Sequence, residues 1–129
     1  MITIRNKEEM EKYYLMAIDK YIFKDHVEFL IDVEVEADIK AKHIKAKNIK
    51  AWDIESWSIF ARNIDANNIY AKDIKADDVA VRGHISACDI YVDNLKAKEV
   101  HANYVYVWWK LDVNLLDIGN GYLLELWRE

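Results

Sequence analysis

The chain has 129 residues, 53% of them hydrophobic, enough for one domain with a buried core. A formal net charge of −5 argues against a dedicated binder of nucleic acid or anionic membrane, which would be basic overall. A single cysteine, Cys88, excludes an internal disulfide, and no proline with only three glycines leaves no flexible linker or glycine-rich phosphate loop.

The first residues, Met1-Ile2-Thr3-Ile4-Arg5, carry neither the apolar run nor the cleavage site of a signal peptide. No apolar stretch approaches the roughly 20 residues that span a bilayer. A cytoplasmic protein without membrane contact is expected. The spacing predicts a helix over 6–22, with Asn6 as N-cap and Glu9 completing a capping box. Met10, Tyr13, Tyr14, Ala17, Ile18 and Tyr21 would form its apolar stripe. From Val27 to Ala37 the chain alternates through Phe29, Ile31, Val33 and Val35, which reads as a strand.

A five-residue beat then takes over. The large aliphatic recurs at Ile39, Ile44, Ile49, Ile54, Ile59, Ile64, Ile69, Ile74 and Val79. One extra residue enters near Gly83, and the beat resumes at Ile85, Ile90, Leu95, Val100 and Val105. Two places after each aliphatic stands a small residue, as in Ala41, Ala46, Ala51 and Ser56, and directly before most stands Asp or Asn. A spacing of two puts aliphatic and small residue on the same face of an extended chain, pointing inward. Asp or Asn suits the corner, where a short polar side chain can hold a turn. The pattern is that of a solenoid whose coils stack about 4.8 Å apart, with the strand from Val27 leading into the first coil.

The units resemble those of the pentapeptide-repeat family over residues 37–107, with one departure. The family unit reads Ala-(Asp/Asn)-Leu-x-x; here it is Ala-x-(Asp/Asn)-Ile-x. The resemblance implies a right-handed, four-sided β-helix of about twenty residues per coil, hence about four coils over 27–109. The beat by itself does not exclude a three-sided coil of fifteen residues; the preference for four sides rests on the resemblance. Twenty stacks Ile39, Ile59, Val79 and Val100, and puts His43, Asn63 and His84 in one column. Similar units occur in bacterial and phage-encoded proteins, which suggests such an origin.

Beyond the repeat, an aromatic run from Tyr104 to Trp109 leads to Leu111, Val113, Leu115 and Ile118. Gly119-Asn120-Gly121 then separates this from Tyr122, Leu124 and Leu126, a hairpin signal. A hairpin-like cap over 110–129 is expected, with Trp108, Trp109, Leu115, Tyr122, Leu124 and Trp127 as cap or dimer surface. The family resemblance implies a homodimer through this end.

No residue is expected to be catalytic or to hold a metal or cofactor. The carboxylates recur because a turn recurs, and His43 and His84 would lie two coils apart, too far to share a metal. Lys40, Lys42, Lys45, Lys47 and Lys50 read as a solvated face, with nucleic acid not expected as a partner. Trp52, Trp57, Phe60 and Tyr70 take outward positions, so either the N-terminal helix covers them or they form a contact surface. The expected function is a non-enzymatic protein-interaction or structural scaffold with an unspecified protein partner. The alternative, implied by the resemblance, is a DNA-mimic modulator of a type II topoisomerase such as gyrase, which would require a continuous acidic stripe.

Overall fold

Alternation within each unit dictates what the backbone does: Ile and Ala cannot both point inward unless the chain is extended between them, and extended chain needs a partner on each side. A computed structural model describes residues 1–118 and the strand Tyr122–Glu125. It is an all-β parallel solenoid of about six coils. Among the described residues no helix is long and apolar enough to cross a membrane.

The register differs from the twenty-residue expectation. Ile39 pairs with Ile54 and Ile54 with Ile69, fifteen residues apart, so three five-residue units close each coil. A first column runs Tyr21, Ile39, Ile54, Ile69, Ile85, Val100, Leu116. A second runs Val27, Ile44, Ile59, Ile74, Ile90, Val105, and a third Val33, Ile49, Ile64, Val79, Leu95, Leu111. Ile54, Ile69, Ile74, Ile85 and Ile90 are fully buried. The small residues line the same interior between these columns. Three units per coil bring each inward small residue close to the next unit's aliphatic, and an Ala there leaves room for the isoleucine. His43 and His84 therefore do not share a column: His43 pairs with Ser58, and His84 with Glu99.

The corners are held differently from the expected local turns. Corner amides bond the coil before them, as in Trp52 N to Ala37 O at 3.1 Å, Asn67 N to Trp52 O at 2.6 Å, and Arg62 N to Lys47 O at 3.0 Å. The Asp and Asn side chains then form rungs between coils. Asn48 donates to Asp32 at 3.0 Å, Asn63 to Asn48 at 2.6 Å, Asn68 to Asp53 at 3.0 Å, and Asn94 to Asp78 at 2.6 Å. Such amide ladders give short polar side chains their partners at a solenoid's surface.

The inserted residue sits where the sequence places it. Ile69 pairs with Ile85, sixteen apart, and Gly83 N bonds Asn67 O at 2.8 Å. A Cβ on Gly83 would collide with Asn68 Oδ1 and lie 3.0 Å from Asn67 O. A second insertion, unanticipated, falls opposite Asp93: Val92 pairs with Val107, but Asn94 pairs with Lys110.

Both ends depart from expectation. Helix is confined to Lys7–Glu11, not 6–22. Asn6 does cap it, accepting from Glu9 N at 2.9 Å, while Glu9 reaches back to Arg5 N at 3.0 Å. Beyond it Tyr14–Leu15 pairs antiparallel with Lys20–Ile22, and that strand lies on the first coil with Tyr21 over Ile39. Ile2–Ile4, Val27–Phe29 and Val33–Glu34 also join the parallel sheet. The reason is that an open coil end exposes a row of backbone groups, which strands satisfy and a helix does not. Phe23 and Phe29 replace alanine in the interior here and meet edge-on at 5.4 Å, with Tyr13 4.8 Å from Phe23. At the other end Tyr122–Glu125 pairs parallel with Tyr104–Val107, so it continues the solenoid where a hairpin would run antiparallel. The Gly119-Asn120-Gly121 segment, read as a hairpin signal, lies outside the described residues.

Gly83→Ala should lower unfolding stability by about 1–3 kcal/mol, since the collision forces a backbone shift or loss of the Asn68 rung. Ile69→Ala, emptying a fully buried site, should cost about 2–5 kcal/mol. Urea titration followed by tryptophan fluorescence would measure both.

Candidate interaction surface

Outward positions form columns of their own, because the residue after each aliphatic is locked in the same register as the aliphatic. One column reads Lys40, Glu55, Tyr70, Ser86, His101, Asp117. A second reads Glu28, Lys45, Phe60, Lys75, Tyr91, Tyr106. In the first coils, neighbouring charges on these columns, and on the third column where Glu34 pairs with Lys50, are opposed. Lys40 stands 3.7 Å from Glu55, Lys45 3.4 Å from Glu28, and Lys50 4.0 Å from Glu34. Exposed pairs of this kind contribute little stability, but they neutralise much of the lysine cluster.

Trp52, Trp57, Phe60 and Tyr70 are all exposed and fall on three separate surfaces. Trp57, 56% exposed, and Tyr70 share a shallow groove with Lys40, Glu55 and Lys72. Lys72 Nζ lies 5.5 Å from the Trp57 ring centroid, and Tyr70 Oη is 3.0 Å from His84 Nε2. Trp52 lines another groove, with Lys7 of the short helix, Glu34, Asn67 and Arg82. The helix leaves Trp52 46% exposed and so does not cover it. Phe60, 52% exposed, belongs to a third surface.

That third surface is a groove of about 530 Å³ running along the solenoid. One wall is Phe60, Lys75, Tyr91 and Tyr106; the other is Arg62, Asp77, Asp93 and Trp108; the floor is Ala61, Ala76, Val92 and Val107. Tyr91 and Tyr106 stack at 4.7 Å with their planes 3° apart, and Lys75 Nζ lies 5.5 Å from the Phe60 ring centroid. The sequence reading missed this groove because it assigned neighbours at twenty residues, which separates Phe60 from Lys75 and Tyr91 from Tyr106. Identical residues fifteen apart, Tyr91 with Tyr106 and Val92 with Val107, were the available signal.

Of the C-terminal residues expected to form a cap or dimer surface, Trp108, Trp109 and Leu115 are exposed. Tyr122 and Leu124 stand in the last strand opposite Tyr104 and Tyr106, and Trp127 lies outside the described residues. His26 stacks on His43 at 4.3 Å, and the His43 imidazole hydrogen-bonds Ser58. Among the described residues no three His, Cys, Asp or Glu side chains converge to hold a metal ion. Cys88 is exposed in the corner column that also holds Trp57 and Lys72.

Asp73 and Asp89 meet across one rung, in register on adjacent coils. Desolvation first, then the charge of Asp73, raise the Asp89 carboxyl above its ordinary 3.8. No family model, curated protein or solved structure matches this chain.

The Asp73–Asp89 rung has a pH consequence. Folded protein holds this proton at pH values where unfolded chain has released it, so stability falls as pH rises from the ordinary carboxylate pKa through the raised one. Asp89→Asn should flatten that slope and raise the neutral-pH melting temperature, because an amide donor facing Asp73 would reproduce the Asn68–Asp53 rung. Melting curves from pH 3 to 7 on both proteins would read it.

Proposed function

We propose that this chain is a non-catalytic scaffold, built from a three-unit variant of the pentapeptide repeat, that binds a protein partner through its outward aromatic columns. The observation that carries the reading is Trp57. It is 56% exposed, yet strictly placed, because Ser56 on one side is buried, with its hydroxyl 3.0 Å from Lys42 O and 2.9 Å from Ser58 O. The chain cannot turn the indole inward without expelling Ser56 and breaking the column. Exposed aromatic surface of this kind, on a framework unable to hide it, is a feature of contact sites.

The chemistry of the Asp and Asn residues supports a non-catalytic role. Asn48, Asn63, Asn68 and Asn94 use their side chains to bond the neighbouring coil, which gives these recurring positions a structural reason. A duplex mimic draws less support. It asks for an unbroken line of carboxylates, whereas Lys40 and Glu55, Glu28 and Lys45, and Glu34 and Lys50 alternate along the outward columns.

The test is capture from a bacterial lysate on immobilised protein, followed by binding measurements with the purified captured protein. Trp57→Ala combined with Tyr70→Ala should weaken the purified interaction by tenfold or more, about 1.4 kcal/mol, with an unchanged melting temperature. Equal affinity for the double variant and the native chain would remove this face from the proposal. Inhibition of gyrase supercoiling by the native chain, with no protein bound at the Trp57 face, would instead favour the topoisomerase reading.

A further inference from the structure

The groove between Phe60 and Trp108 has a property the other two surfaces lack: its walls complement each other level by level. Each coil contributes one residue to the near wall and, two positions on, one to the far wall. The four levels are Phe60 with Arg62, Lys75 with Asp77, Tyr91 with Asp93, and Tyr106 with Trp108. They span about 14 Å at the usual strand spacing. Asp77 and Asp93 are exposed, and they form no ion pair among the described residues.

We infer that this groove is the interface of a side-by-side homodimer whose two-fold axis runs parallel to the solenoid axis. The inference rests on the reading of outward aromatics as contact residues and names the occupant of one such surface. A rotation of that kind keeps both solenoids parallel and sets the near wall of each copy against the far wall of the other at the same level. Arg62 then meets the Phe60 ring of the second copy, a cation–π contact already made within the chain by Lys75. Lys75 meets Asp77. The Tyr91 hydroxyl meets the Asp93 carboxylate, and Tyr106 meets Trp108. Because the arrangement is isologous, each contact is made twice.

The antiparallel alternative is electrostatically worse. It sets like wall against like wall with the levels reversed, which brings Asp77 against Asp93 and Lys75 against Tyr91. Like charges across an interface reject that orientation. The parallel dimer also differs from an end-to-end dimer, since none of the eight wall residues belongs to the last strand.

Analytical ultracentrifugation of the full chain, alone and as charge variants, tests this directly. The native chain should dimerise, and Lys75→Asp or Asp77→Lys should each raise the dissociation constant at least about tenfold. Both positions face outward, so melting temperatures should hold at protein concentrations low enough for the native chain to be monomeric as well. An equimolar mixture of K75D and D77K should form a heterodimer, since one variant makes that level wholly acidic and the other wholly basic. A native chain that stays monomeric at about 200 µM overturns the inference, yet leaves the Trp57 face and its partner test untouched. So does a dimer indifferent to both reversals. Tighter dimerisation of D77K would also overturn it, because that outcome belongs to the antiparallel arrangement with Asp93 opposite.

Discussion

Everything in this molecule hangs on coil-to-coil backbone pairing at a fixed offset. Once Ile39 sits on Ile54 and Ile54 on Ile69, each other position in the unit is stacked on its counterpart. Isoleucines then make a continuous apolar axis, amides and carboxylates make rungs, and outward side chains make ladders. Pairing extends into the corners, where the amides of Trp52, Arg62 and Trp57 bond the preceding coil. Few backbone groups are left for side chains to satisfy, which frees Asp and Asn to bond each other between coils.

The same constraint explains how the ends are built. A stack of identical coils has no natural stopping point, so both ends must change composition. At the N-terminal end Phe23, Phe29 and Met10 fill space that alanine leaves open elsewhere, and the beat loosens from five to six through Tyr21, Val27 and Val33. Tyr21 closes the first column with its hydroxyl 2.7 Å from Glu11, and burial, then Glu11, pushes its pKa up to about 12. Toward the other end Leu111 and Leu116 keep the columns going while Val113 and Ile118 replace alanine.

Function depends on what such a frame can and cannot do. Inside–outside alternation forbids an outward ring from being withdrawn, so a solenoid displays side chains at set intervals. Trp57 with Tyr70, and Phe60 with Tyr91, are therefore best understood as fixed display. Trp57 and Tyr70 lie within one coil of each other, and Phe60 and Tyr91 stand two coils apart with Lys75 between them.

Residue order by itself determined the solenoid class, the inward columns of aliphatic and small residues, the outward placement of Trp52, Trp57, Phe60 and Tyr70, and the insertion at Gly83. These are local properties: a period of two within each unit decides which way a side chain points, whatever the unit stacks on. The number of units per coil is not local. A five-residue beat superimposes on itself at fifteen and at twenty alike, so the choice depends on how sharply corners bend and which distant strands then meet. That choice decided who neighbours whom. It moved His84 away from His43, put Asp89 against Asp73, matched Lys40 to Glu55, and assembled the Phe60–Trp108 groove from residues fifteen and sixteen apart. It also decided that 14–22 is strand and turn instead of helix. An apolar stripe is a weak local preference, and an open sheet edge beside it offers backbone partners that a helix cannot use.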